Sequence, residues 1–151
     1  MRVRIDATGG QEEIMEALGS GGQRAADVAK EVLGQIADSI VALGKANAPV
    51  EPGDGGQMRD SIRKLRAVST KTVVSQAIVV GGAPLSGFLE ETHHAYNIYA
   101  VLQEYDVGKD APFEHTTGEA HFLETPTFAL APTIPDRVIS AFDEANILGG
   151  A

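Results

Sequence analysis

Residues 23–47 read Q-R-A-A-D-V-A-K-E-V-L-G-Q-I-A-D-S-I-V-A-L-G-K-A-N, and this stretch decides the fold class. Ala25, Val28, Ala29, Val32, Leu33, Ile36, Ile40 and Leu43 recur at steps of three and four, the spacing that lines one face of an α-helix. Arg24, Asp27, Lys30, Glu31, Gln35 and Asp38 fall mostly on the other side. Pro49 stands just beyond and forbids continuation, because proline has no N–H to donate and restricts the residue before it. The stripe is narrow and rich in Ala and Val, so this helix can approach a sheet or another helix closely. Upstream, Gly19-Ser20-Gly21-Gly22 predicts a break. Beyond it, Glu12–Leu18 favours a separate short helix with Ile14 and Leu18 on one face.

Outward from the helix, the pattern changes period. Val3 and Ile5 alternate with Arg2, Arg4 and Asp6, a short strand closed by Gly9-Gly10. Val50–Gln57 is Gly/Pro-rich and reads as a loop. Met58, Ile62 and Leu65 fit a helical turn or two, but a strand starting at Ser61 fits equally well. Lys71–Val80 is the clearest strand, rich in Val, Ile and Thr. It carries Val74, Ile78 and Val80 on one face and Val73, Ala77 and Val79 on the other, as expected of a strand covered on both sides. One of those covers could be a neighbouring subunit. Gly81-Gly82-Ala83-Pro84 ends it. Tyr96–Tyr105 fits a short helix or a strand, and Asp106–Gly118 is a long polar loop of the kind that is usually functional or disordered. Thr125-Pro126 resembles an N-cap followed by proline in a first helical turn. Pro132 and Pro135 interrupt the segment after it. A last helix is predicted from Pro135 to Asn146, with Val138, Ala141, Phe142 and Ala145 on one face. The expected class is α+β: a long N-terminal helix packed on a small antiparallel or mixed sheet, with a C-terminal helix.

The chain has 151 residues, which fits one domain over 1–151 that can bury about two-thirds of its unfolded surface. There is no Cys and no Trp. No disulfide framework or thiolate metal site is therefore available, and with aromatic content at 5% the core is expected to be built from Ala, Val, Ile and Leu. The first residues carry two Arg with no apolar run behind them, unlike a secretory signal. No window approaches the ~20 apolar residues of a membrane span. Twelve Lys+Arg against 21 Asp+Glu give a net charge of −9. Basic residues cluster only at Arg59–Arg66, which argues against sequence-specific DNA binding. Acidity suits a channel that DNA slides through without sticking, and it suits plain solubility too.

Two further segments carry a resemblance. Tyr99, Ala100 and Glu104 are followed by a loop and then by Gly118, Ala120, Phe122, Leu123 and Pro126. Upstream, Ala48-Pro49-Val50-Glu51-Pro52-Gly53 precedes Met58-Arg59-Asp60-Ser61-Ile62. In order and spacing these resemble the neck and tail-completion (minor tail component) proteins of long-tailed double-stranded DNA phages, from Val3 to about Ala145. Pro52 stands where that family usually has Thr, and Tyr105-Asp106-Val107-Gly108 replaces a tighter turn.

The resemblance implies a structural virion protein at the head–tail junction, a neck or tail-completion ring that joins tail to connector and lines the DNA passage. It implies contacts with copies of itself in a six-fold or twelve-fold ring. Other implied partners are head-completion or connector proteins and tail terminator or tube proteins. DNA would be only a passing, non-specific contact, with no membrane, cofactor, metal or catalytic residue. The location would be the virion, after assembly in the host cytoplasm. The expected subunit-interface residues are Arg59, Arg63, Tyr96, Tyr99, Glu104, Tyr105, Phe122 and Leu123. Tyr combines buried area with a polar tip; the three Tyr fit ordinary core positions equally well. Glu104, set among apolar residues, would need a cation such as Arg59 or Arg63 if buried.

Enzymatic alternatives find less in the residues. His93, His94, His115 and His121 lack the spacing that lets ligands converge on a metal, and fit histidines that brace loops by donating to backbone carbonyls. Glu90, Glu91, Glu104, Glu114 and Glu124 offer carboxylates only by abundance, without the paired geometry of a glycosidase. Pro84-Leu85-Ser86-Gly87 has proline where a nucleophile elbow needs glycine. Gly53-Asp54-Gly55-Gly56-Gln57-Met58 lacks the third glycine of a dinucleotide fingerprint. The competing classes are a small hydrolase using His/Glu residues of the 90–121 region and an acidic binding or inhibitor protein.

Overall fold

The computed structural model describes residues 2–5, 11–50, 56–70, 73–81 and 118–148. Strand β1 (Arg2–Ile5) is followed by helix α1 (Gln11–Asn47), the single turn α2 (Gln57–Asp60), and strands β2 (Arg63–Lys64), β3 (Val68–Ser69) and β4 (Val74–Val79). Helix α3 (Glu124–Leu130), a 3₁₀ turn (Ala131–Thr133) and helix α4 (Ile134–Glu144) complete the order. The protein is α+β, with a long N-terminal helix, a small antiparallel sheet and a C-terminal helix.

Helix α1 runs through the glycine cluster instead of stopping there. The predicted break survives at one residue: Gly22, with φ 54° and ψ −133°, kinks the helix. That combination is essentially restricted to glycine. The buried face of α1 is also wider than the predicted stripe. Ala26 and Ala37 are buried along with Ala25, Ala29, Val32, Leu33, Ile36 and Ile40, while Val28 is half-buried and Leu43 is 45% exposed. Packing against β4 on one flank and α4 on another widens the buried arc.

Strand β4 is the centre of the sheet. It pairs antiparallel with β1 on one edge, Val3 opposite Ile78, and with β2 and β3 along it as well. Arg63 faces Val79 and Lys64 faces Ile78, but Val68 faces Ser75. With Leu65 still donating to Ala77, the register slips by one residue at Arg66–Ala67. β2 and β3 are thus one strand carrying a bulge. The open alternatives at Met58–Leu65 resolve into both: one helical turn, then a strand. Val74, Gln76, Ile78 and Val80 are buried on the face toward α1. On the other face Val73 is 44% exposed, although Ala77 is buried. Gln76, the polar member of the inner face, donates from its amide to the carbonyls of Leu65 and Ala77, which satisfies a group that would otherwise be costly to bury.

Helix α3 begins two residues earlier than the Thr125-Pro126 pattern predicts. Its cap residue is Leu123, and Thr125 N–H already donates to the His121 carbonyl at 2.9 Å. Pro126 falls in the first turn, where a missing N–H leaves no bond unmade. The two helices of this region are separated by the 3₁₀ turn, which contains Pro132, and Pro135 falls in the first turn of the helix after it. In α4, Val138 and Phe142 are buried, while Ala141 and Ala145 are half-buried. Arg24 of α1 donates to the carbonyl of Ala145 at 2.6 Å, supplying a partner at the helix C-terminus.

Candidate functional site

The residues of both motif segments that are described gather around the C-terminal end of α1. Ala48 N–H donates to the Gly44 carbonyl at 2.8 Å, which closes the helix before Pro49. Lys45 then reaches the carbonyl of Asp60 at 3.4 Å, tying α1 to α2.

Ser61 is the buried hub of this end. Its hydroxyl donates to the Met58 carbonyl at 2.6 Å and accepts from the Gly81 N–H at 3.0 Å. Arg63 adds two donations from Nη1, to the carbonyls of Ser61 at 3.2 Å and of Gly81 at 3.0 Å. The backbone of Gly81, at φ +67°, is therefore held by donor and acceptor together. The next described residue is Gly118, where the geometry is tighter still. Gly118 has φ +76°, and a Cβ there would stand 2.6 Å from backbone atoms of both Ala48 and Pro49. Glu119 N–H donates to the Asn47 carbonyl at 2.8 Å. Both ends of the 82–117 segment are thus fixed to one stretch of chain, Gly44–Arg63.

Of the eight residues expected at a subunit interface, four are described. Arg59 folds back over Gly56 and pairs with Asp60 at 3.0 Å. Arg63 is committed to the carbonyls of Ser61 and Gly81. Phe122 and Leu123 are 0% and 1% exposed within one copy, with Leu123 packed against Gly44 of α1. Both belong to the chain's own core. Tyr96, Tyr99, Glu104 and Tyr105 lie outside the described residues, as do His93, His94 and His115.

His121 is described, and its ring meets a carboxylate. Its Nδ1 lies 2.6 Å from Oε2 of Glu124, with both side chains substantially exposed. The backbone of His121 is left-handed, φ 57°, so the hydrogen bond sits on the turn that starts α3. The His-x-x-Glu spacing was available in the sequence as its signal. Ser61 had none, because a serine beside a basic cluster does not announce burial. Among the described residues, no group of three or more His, Asp or Glu could hold a metal ion. No helix among them is long and apolar enough to cross a membrane.

No curated protein and no solved structure matches the chain. The family described as "Bacteriophage HK97-gp10, putative tail-component" matches residues 12–124. That span runs from α1 through both motif segments to the first residue of α3, and so takes in the whole end built around Gly44–Arg63. The chain belongs to this family of phage tail components.

Proposed function

We propose that the protein is a structural subunit of the head–tail junction, a neck or tail-completion ring that joins the tail to the connector and lines the passage for DNA. One observation supports this reading above the others. The motif residues Ser61, Gly118, Phe122 and Leu123 spend their side chains or backbone on fixing the chain at Gly81 and around Gly118, on either side of residues 82–117. A site built for chemistry would aim polar groups at a substrate. Here Ser61 and Arg63 aim at main-chain carbonyls and an amide, and Phe122 and Leu123 fill the core. The motifs therefore act as a structural frame rather than a reaction centre, as suits an assembly protein.

Copies of the chain, on this reading, associate through heterologous contacts that close into a ring. The net charge of −9 keeps a passing duplex from adhering to the wall. No enzymatic step is assigned. The experiment is labelling of intact virions with an antibody fragment against this chain, read by electron microscopy. Label at the junction between capsid and tail is expected. Label confined to the distal tail tip, or none on intact virions, overturns the proposal.

A further inference from the structure

Helix α1 is two rods joined at one residue. Gly22, at φ 54° and ψ −133°, occupies torsions that glycine alone adopts readily, and a regular i→i−4 ladder does not run through such a residue. No atom stands within 4 Å of where its Cβ would be. Gly22 also lines a cavity of about 700 Å³, together with Leu18 and Ala26 of α1 and Ser69 and Thr70 at the end of β3. Among the described residues, no close packing holds this joint in its kinked state.

The described residues before the joint act as one unit. Residues 11–21 form the arm of α1 and place Ile14, Ala17 and Leu18 in the core cluster that also holds Ala25, Ala26 and Ile78. Strand β1 pairs with β4, Arg2 opposite Val79 and Ile5 opposite Gln76. The partners of the unit, β4 and the core residues after Gly22, lie on the other side of the joint in sequence. The chain passes from the unit to those partners through Gly22.

We infer that this N-terminal unit is exchanged between copies: β1 and the arm of one copy seat against β4 and the core of the next, with α1 straightened at Gly22. The partner is a second copy of this chain, because the seat that receives the unit is the one it fills within its own chain. Complementarity is therefore already built, which makes exchange of an identical element a low-cost route to association. The unit makes the same contacts in either arrangement. The balance between them is set by the joint and by concentration. A kinked joint keeps Gly22 out of helical torsions, whereas a straight one restores the helix through it. A unit handed from each copy to the next makes a heterologous contact, the type that generates a ring when its rotation closes. This inference rests on the ring reading proposed above and names the element that links the subunits.

The test uses the full chain, which has no Cys, so introduced cysteines report without background. Arg2→Cys and Val79→Cys are combined, because opposite residues on paired strands hold their Cβ atoms about 4.5–5.5 Å apart, within reach of a short bis-maleimide. The associated fraction, isolated by size exclusion with light scattering, is cross-linked, denatured and resolved on a gel. Exchange predicts covalent multimers longer than two chains from the double variant, and no such multimers from either single-cysteine variant. Cross-links confined within single chains overturn the exchange and leave the ring reading standing. Multimers that stop at two chains support the exchange and overturn the ring. A chain that stays monomeric at every concentration overturns both. Gly22→Ala supplies a second readout. Alanine resists a φ of 54° but favours straight helix, so association is expected to tighten at least ~10-fold, equivalent to about 1.4 kcal/mol, with circular dichroism verifying folding. A folded Gly22→Ala variant whose association is unchanged or weaker overturns exchange about this joint.

Discussion

Glu119 donates its N–H to the carbonyl oxygen of Asn47 at 2.8 Å, and this bond draws Gly118 flat against the end of α1. The position tolerates no side chain. A Cβ would meet the backbone of Ala48 and Pro49 at 2.6 Å, and backbone cannot rotate aside as a side-chain tip can. The left-handed φ of +76° adds about 1–2 kcal/mol for any residue with a Cβ. Gly118→Ala is expected to cost about 2–4 kcal/mol in total. At this chain length that lowers Tm by roughly 5–15 °C, readable by differential scanning calorimetry. An unchanged Tm would show that this end of α1 is not packed as described.

Gly22 isolates the backbone part of that effect. No atom lies within 4 Å of where its Cβ would be, so only the torsions, φ 54° and ψ −133°, resist substitution. Gly22→Ala is expected to cost about 1–2 kcal/mol, less than Gly118→Ala, in urea unfolding. If the two variants lose equal stability, the clash at Gly118 contributes nothing.

Ser61 bonds to Met58 and Gly81 through one buried hydroxyl. Ser61→Ala removes the acceptor from the Gly81 amide and the donor from the Met58 carbonyl. Leaving buried polar groups unpaired costs about 1–3 kcal/mol. The loss should appear in urea unfolding, with faster hydrogen exchange at the Gly81 amide as its local signature. Exchange at Gly81 that is no faster than in the wild type would contradict the assigned bond.

The exposed pair Lys64–Asp38 sets a lower bound for comparison. Its atoms lie 2.5 Å apart, yet the side chains are 38% and 62% exposed, and water and salt screen such a pair. Asp38→Asn is expected to change stability by less than about 1 kcal/mol. A larger loss would mean that this bridge between α1 and the sheet holds the two layers together.

How much of the fold was legible in the chain depends on what each residue's neighbours are. Helix α1 shows because its period is local, and β4 shows because Val74–Val79 is rich in β-formers between two loops. The burial of Ala26 and Ala37, and the exposure of Leu43, depend on where the sheet and α4 come to rest, which no window of α1 reveals. The same holds for Leu123: it reads as a motif residue in sequence, but Gly44 from a distant segment turns it into a core residue. The break read from the glycine cluster is present as the kink at Gly22, whereas the continuation of helix through Gly19–Gly21 depends on the packing of Ile14, Ala17 and Leu18, which offsets poor propensity. Gly118 was visible as part of a motif, whereas its reason, the approach of Asn47–Pro49, was not.

Phe122 separates a core role from an interface role. Its side chain is fully buried within one copy, so Phe122→Ala should cost about 3–5 kcal/mol of the chain's own stability. An interface residue would behave differently: the monomer would keep its unfolding midpoint, and only association would weaken. Measuring urea unfolding at low protein concentration, where copies are separate, distinguishes the two. A midpoint that falls at every concentration is the expected result. A midpoint unchanged at low concentration, with association lost, would return Phe122 to the surface between subunits.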